Sequence, residues 1–132
     1  MTMTSIGVIT NGGATKVAAA WDSGGWIDAV SPVIGIGSGG HHATTGAVLT
    51  PGRSLTAVPG QFMTKTCASF TRVGKEFEIK LVLNSSDTAA TGRVVSSIGL
   101  YDNVSTLLAV INFSPRPKDE YNTITLEWKI EF

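Results

Sequence analysis

Few residue types in this chain have the chemistry for a reaction or a metal. The adjacent pair His41-His42 is the first candidate, because imidazole is a common metal ligand and titrates near neutral pH. Neighbouring side chains in an extended loop diverge, however. There is no third histidine, and no nearby Cys, Asp or Glu completes a ligand set. The pair is expected to be solvated or to touch a neighbouring subunit. Gly35-Ile-Gly37-Ser-Gly-Gly40 has the glycine density of a phosphate cradle. It lacks the Gly-Lys-Ser/Thr ending and follows no βαβ pattern. Its glycines are expected to permit positive φ or close chain approach. A serine nucleophile needs a base and an oxyanion hole, and no Gly-x-Ser-x-Gly elbow is present. Paired carboxylates for glycoside cleavage stay open as an alternative. Asp22, Asp28, Asp87, Asp102 and Asp119 nevertheless all fall in turns or loops, where Asp is expected for turn chemistry alone. The expectation is a protein with no catalytic residues, cofactor or metal.

Aromatic residues offer contact rather than catalysis. Trp128 sits on the apolar face of a strand pattern and is expected in the core. Trp26 lies in a glycine-flanked loop and is the better exposed contact, with His41 and His42 as further interface candidates.

The elements that would position these residues follow from the totals and the patterning. A length of 132 residues fits one domain, residues 1–132, large enough for a hydrophobic core without staples. Ten Lys+Arg balance ten Asp+Glu. A neutral chain with no cationic run is not expected to bind nucleic acid, because phosphate binding needs clustered cations. Its low charge also gives little protection against self-association, which points weakly to a subunit held in an assembly. Cys67, the single cysteine, can form no internal disulfide and is expected to be a small buried hydrophobe. There is no basic segment followed by a long apolar run, and no stretch approaching 18 apolar residues, so neither a signal peptide nor a membrane span is expected. Asn84-Ser-Ser86 and Asn103-Val-Ser105 match the glycosylation pattern without a secretion signal to use it.

Residues 11–21 are expected to form the one helix, capped by Asn11 and stopped by Gly24-Gly25. Val33–Gly37 reads as a short strand leading into a flexible loop over 38–46. Residues 62–73 read as one long β-prone run. In 76–83, Phe77, Ile79, Leu81 and Leu83 share one face, which predicts a half-buried strand, and 84–87 follow as a turn. Arg93–Tyr101 and Leu107–Phe113 are expected to pair through a hairpin loop at 102–106. Prolines exclude 114–118 from a central strand. Ile124, Leu126, Trp128, Ile130 and Phe132 then share one face of a last strand, expected to run to the final residue. The fold class is mainly β: an antiparallel β-sandwich or curved sheet with one short N-terminal helix.

Two segments carry a resemblance. One is Ile9-Thr-Asn-Gly-Gly-Ala-Thr-Lys-Val-Ala-Ala-Ala-Trp21 with Pro32-Val-Ile-Gly-Ile-Gly-Ser-Gly39. The other is Ile98-Gly-Leu-Tyr-Asp102 with Thr106-Leu-Leu-Ala-Val110. Their order resembles the N-terminal domain of phage tail-collar fibre proteins. The resemblance spans most of the chain, although its motifs are short. It implies a virion structural protein of a tailed phage or a related contractile injection system, assembled in the bacterial host cytoplasm. Its partners would be further copies of itself and other virion proteins. In that family a fibre shaft follows the domain. Here the sequence ends at Phe132, so a short collar, adaptor, baseplate or decoration subunit is expected rather than a complete receptor-binding fibre. The alternatives are a capsid decoration protein, a carbohydrate-binding sandwich using Trp26, Tyr101 or Tyr121 as stacking platforms, and an enzyme assembled from scattered loop residues.

Overall fold

A computed structural model describes residues 5–22, 30–73 and 76–131. The order of elements is β1 (Ser5–Ile9), α1 (Asn11–Asp22), β2 (Val30–Gly37), β3 (Gln61–Thr66), β4 (Ser69–Val73), β5 (Glu76–Leu83), a 3-10 turn (Thr88–Ala90), β6 (Arg93–Asp102), β7 (Leu107–Lys118) and β8 (Ile124–Glu131). The strands form two antiparallel sheets, one ordered β1-β7-β6-β2-β3 and the other β4-β5-β8. The fold is the mainly β, sandwich-like class with one helix that the alternation predicts.

The sheets pack through one apolar cluster. Ile34 and Ile36 of β2, Ile98 and Leu100 of β6, and Phe113 of β7 meet Phe77, Ile79, Leu81 and Leu83 of β5. Ile124, Leu126, Trp128 and Ile130 of β8 complete it. The alternation in β5 and β8 is therefore the burial pattern itself, every second residue being covered. The five-stranded sheet is covered on its other face too. Val58, with Leu55 beside it, packs on Leu107, Val110, Val8 and Tyr101. A sheet buried on both faces shows no alternation, and Val95 to Leu100 are all buried.

Several expectations need correction. Thr10, not Asn11, caps the helix. Its hydroxyl accepts the Gly13 N–H at 3.0 Å, its carbonyl accepts the Ala14 N–H, and Asn11 is already helical. The run 62–73 is two strands in different sheets. The chain leaves the larger sheet after Thr66 and joins the smaller one at Ser69, where the Ala68 N–H already bonds the Lys80 carbonyl. Residues 114–118 extend β7 past Phe113, where the strand was expected to end. Among the described residues β1 pairs with Ala109–Phe113 of β7, and Pro115 and Pro117 lie where β7 is paired on the β6 side alone. Pro115 also falls in the bulge between the Val95–Arg116 and Ser97–Asn112 pairs. Residues 38–46 form the expected loop, with internal bonds that the sequence did not announce. His41 bridges Val48, the His42 N–H bonds the Ala47 carbonyl, and the Gly46 N–H bonds the His42 carbonyl. β1 was not expected, and β2 starts at Val30 instead of Val33. Gly24-Gly25 and Phe132 lie outside the described residues.

Candidate functional site

The two segments that carry the sequence motifs fold into one unit. β1 pairs with β7, setting Val8 opposite Val110 and Ile9 opposite Ala109. At the end of β1 the Thr10 N–H bonds the Leu108 carbonyl, and the Thr10 hydroxyl donates to the Leu107 carbonyl. Thr10 is fully buried, so this one side chain both starts the helix and fastens it to the hairpin. Gly13 brings the first turn of α1 against the backbone of β7. A Cβ there would stand 2.0 Å from the Leu108 oxygen. Lys16, one turn on, lies 3.4 Å from the Asp102 carboxylate. The strap formed by residues 49–57 joins as well, the Arg53 carbonyl accepting the Asn11 N–H at 2.7 Å.

Asp102 holds the β6–β7 turn. One carboxylate oxygen accepts the Val104 and Thr106 N–H groups at 3.0 and 2.8 Å, and Ser105 takes a positive φ of 65°. Burial pushes this carboxyl up, but the two N–H groups and the Lys16 ammonium outweigh it and hold its pKa below the usual Asp value. Asp87 behaves alike. Burial opposes its charge, yet Lys65 at 2.5 Å and the Asn84 N–H depress its pKa. Lys65 also donates to the Val82 carbonyl, so this pair clamps β3 of one sheet to the end of β5 of the other. A depressed folded-state pKa contributes stability above the ordinary Asp value near about 3.9 and loses it as pH falls through the folded value. Thermal stability is therefore expected to drop as pH falls below about 4, and Asp102→Asn should flatten that part of the profile. A calorimetric pH series on both proteins reads this; equal slopes would contradict it.

Gly35 and Gly37, together with Gly99, form a notch for one side chain. A Cβ on Gly35 would meet Val58 at 3.0 Å, on Gly37 also at 3.0 Å, and on Gly99 at 2.4 Å. Gly35 and Gly99 are paired neighbours across β2 and β6, so the notch is built by register. Close chain approach, one of the two roles expected for these glycines, is what the structure shows.

The histidines diverge. The His41 Nδ1 lies 2.8 Å from the Ser96 hydroxyl, which also accepts the Gly40 N–H at 2.9 Å. Ser96 is fully buried, so this serine–imidazole pair anchors the 38–49 segment from behind. Beside it the Ser97 hydroxyl donates to Asn112 Oδ1, and Asn112 Nδ2 donates to the Leu49 carbonyl. His42 is exposed, its Nδ1 accepting the Thr44 and Thr45 N–H groups. Sequence reasoning missed Thr10, Ser96, Ser97 and Asn112. The one signal for the serines was two adjacent polar residues inside an otherwise apolar strand.

The remaining candidates fall as follows. Trp26 and Asp28 lie outside the described residues, and Asp22 is the last residue of α1. Asp119 caps the turn after β7, accepting the Tyr121 and Asn122 N–H groups. Trp128 is 8 % exposed and belongs to the core. Cys67 is half-buried against that core, and burial pushes its thiol pKa up. Tyr101 donates to Gln61 and accepts the Val58 N–H, so its hydroxyl is engaged. Its ring edge covers Gly35, beside an open cleft of about 470 Å³. Tyr121 is 86 % exposed. Among the described residues no group of three or more His, Cys, Asp or Glu comes together, and no helix is long and apolar enough to cross a membrane.

Comparison with family models, with curated proteins and with solved structures found no match.

Proposed function

We propose that this chain is a structural subunit of a tailed-phage particle, placed in the tail, collar, baseplate or fibre-attachment region and working through protein–protein contacts. The observation that carries the reading is the union of the two motif segments. Thr10, Gly13 and Lys16 from the first meet Leu107, Leu108 and Asp102 from the second. The charge-poor composition and the turn roles of Asp87, Asp102 and Asp119 support the same reading. The partners on this reading are further copies of the chain and other virion proteins, and the location is the virion.

The contact surface on this reading includes the 38–46 segment, which is held from behind by Ser96 and presents His42 outward. His42→Glu changes an exposed side chain and is expected to leave the fold intact while lowering incorporation into particles severalfold. Circular dichroism checks the fold, and quantitative mass spectrometry of purified particles checks the uptake. Full uptake of a folded variant would remove this segment from the contact surface.

A further inference from the structure

We infer that β8 is the edge through which two copies of this chain pair, antiparallel, about a twofold axis at Trp128. The inference rests on the reading that the chain works through protein–protein contacts, and it names the first of those contacts.

β8 pairs with β5 along its whole length, from Ile124–Leu83 to Glu131–Glu76, with no register shift. Among the described residues its other edge has no partner strand. It contains no proline, and an edge that is long, regular and unbulged is a template for another strand. The other outer strands are shorter: five residues in β1, six in β3 and five in β4. Among the described residues the sandwich is open on this side. A cleft of about 260 Å³ runs between Gly7–Ile9 of β1 and Trp128–Glu131 of β8.

Charge identifies the occupant as a second copy. The exposed face of β8 carries Thr125, Glu127, Lys129 and Glu131 in sequence. Residues opposite one another in an antiparallel pair share a face, so only registers that keep apolar against apolar are permitted. Centring on Glu127 opposes two glutamates. Centring on Lys129 opposes two lysines and sets Glu127 against Glu131. Centring on Leu126 leaves Lys129 and Glu131 past the end of the partner strand. Centring on Ile130 sets Lys129 against Glu131 twice but overlaps only residues 129–131 of each strand. Centring on Trp128 overlaps residues 125–131 and sets Glu127 against Lys129 twice, with Thr125 against Glu131 outside them. On the apolar face the same register sets Leu126 against Ile130 twice and Trp128 against itself. Opposite charges directly across a strand pair stabilise it, and like charges destabilise it. Lys129 lies 3.4 Å from Glu78 and 3.8 Å from Glu76, yet its side chain is 72 % exposed, so it can reach across the new pair. The product is a continuous six-stranded sheet, three strands from each copy.

Sedimentation velocity on the whole chain tests this. The unaltered protein is expected to run as a dimer. Glu127→Lys and Lys129→Glu should each weaken dimerisation by about tenfold or more, and an equimolar mixture of the two should restore it as a heterodimer. A monomer or trimer for the unaltered protein overturns the inference, as do variants that dimerise normally or a mixture that does not recover. Thr125→Cys and Glu131→Cys, each in a Cys67→Ser background, keep both central charges and cover the case in which a charge variant fails to fold. Mixed and oxidised, they should cross-link as heterodimers, whereas each alone should not. No cross-link in the mixture overturns the pairing. A folded monomer would leave the particle reading intact, because that reading fails only if the chain is missing from particles.

Discussion

Replacing Gly13 by alanine is expected to destabilise the protein by about 3 kcal/mol, although the same change in an isolated helix stabilises it by about 1 kcal/mol. The sign reverses because of where α1 sits. The Cβ would stand 2.0 Å from the Leu108 oxygen and 2.9 Å from its carbonyl carbon, both backbone atoms of a strand paired on each side. A flexible side chain gives way, but a central strand does not. The helix must lift, and lifting it breaks the Thr10 bonds to Leu107 and Leu108 together with the Lys16–Asp102 pair. With a total stability of about 5–15 kcal/mol for a domain, a loss of this size is a large fraction of the whole. Urea unfolding of Gly13→Ala beside Ala14→Gly separates the two effects. Ala14 is exposed, so its change should cost only the helix propensity of about 1 kcal/mol. A stabilised Gly13→Ala would mean that the helix does not dock on β7 as described.

The second large effect belongs to the notch. Gly99→Ala places a Cβ 2.4 Å from Val58 Cγ2 and 2.8 Å from Leu107 Cδ1. Both atoms end side chains, so the strain is softer than at Gly13, and the expected cost is about 2 kcal/mol. Val58 is 3 % exposed, and Val58→Ala should cost a similar amount, about 2 kcal/mol, through lost burial and the void it leaves. In the double variant the new methyl occupies space that valine vacated, so the two costs should fall short of their sum by about 1 kcal/mol. Equilibrium denaturation of the four proteins completes the cycle. Strict additivity would show that Val58 does not seat on Gly99. Limited proteolysis adds a local readout, since Gly99→Ala alone should speed cleavage in the 49–57 strap.

Both sites show where sequence was informative and where it was not. β5 and β8 were legible because one face of each is exposed, so burial writes itself into alternation. β6 gave a strand but not its surroundings, because a sheet covered on both faces removes the alternation that would reveal which side is which. β1 is five residues long with Gly7 at its centre, too short to show a period. The sheet change at Cys67-Ala68 left no mark beyond the mixed facing of 62–73, since both strands are β-prone and a two-residue corner needs no proline or glycine here. Pro115 and Pro117 argued correctly against a strand paired on both sides. What sequence did not supply is that the pairing described for β1 spans Ala109 to Phe113 of β7. Thr10 and Asn11 are both good caps by type. The choice between them is made by the Leu107 and Leu108 carbonyls, far away in the chain. The pairing of His41 with Ser96 is long-range in the same way, and no local pattern encodes it.

Particles produced by a host strain that encodes this chain, purified and labelled with gold-conjugated antibody against it, test the proposed function most directly by electron microscopy. The expected result is label at one fixed position on tailed particles, at the tail, collar or baseplate, with the chain recovered in the purified particle fraction. Unlabelled particles, with the chain recovered only as free protein in the lysate, would contradict it.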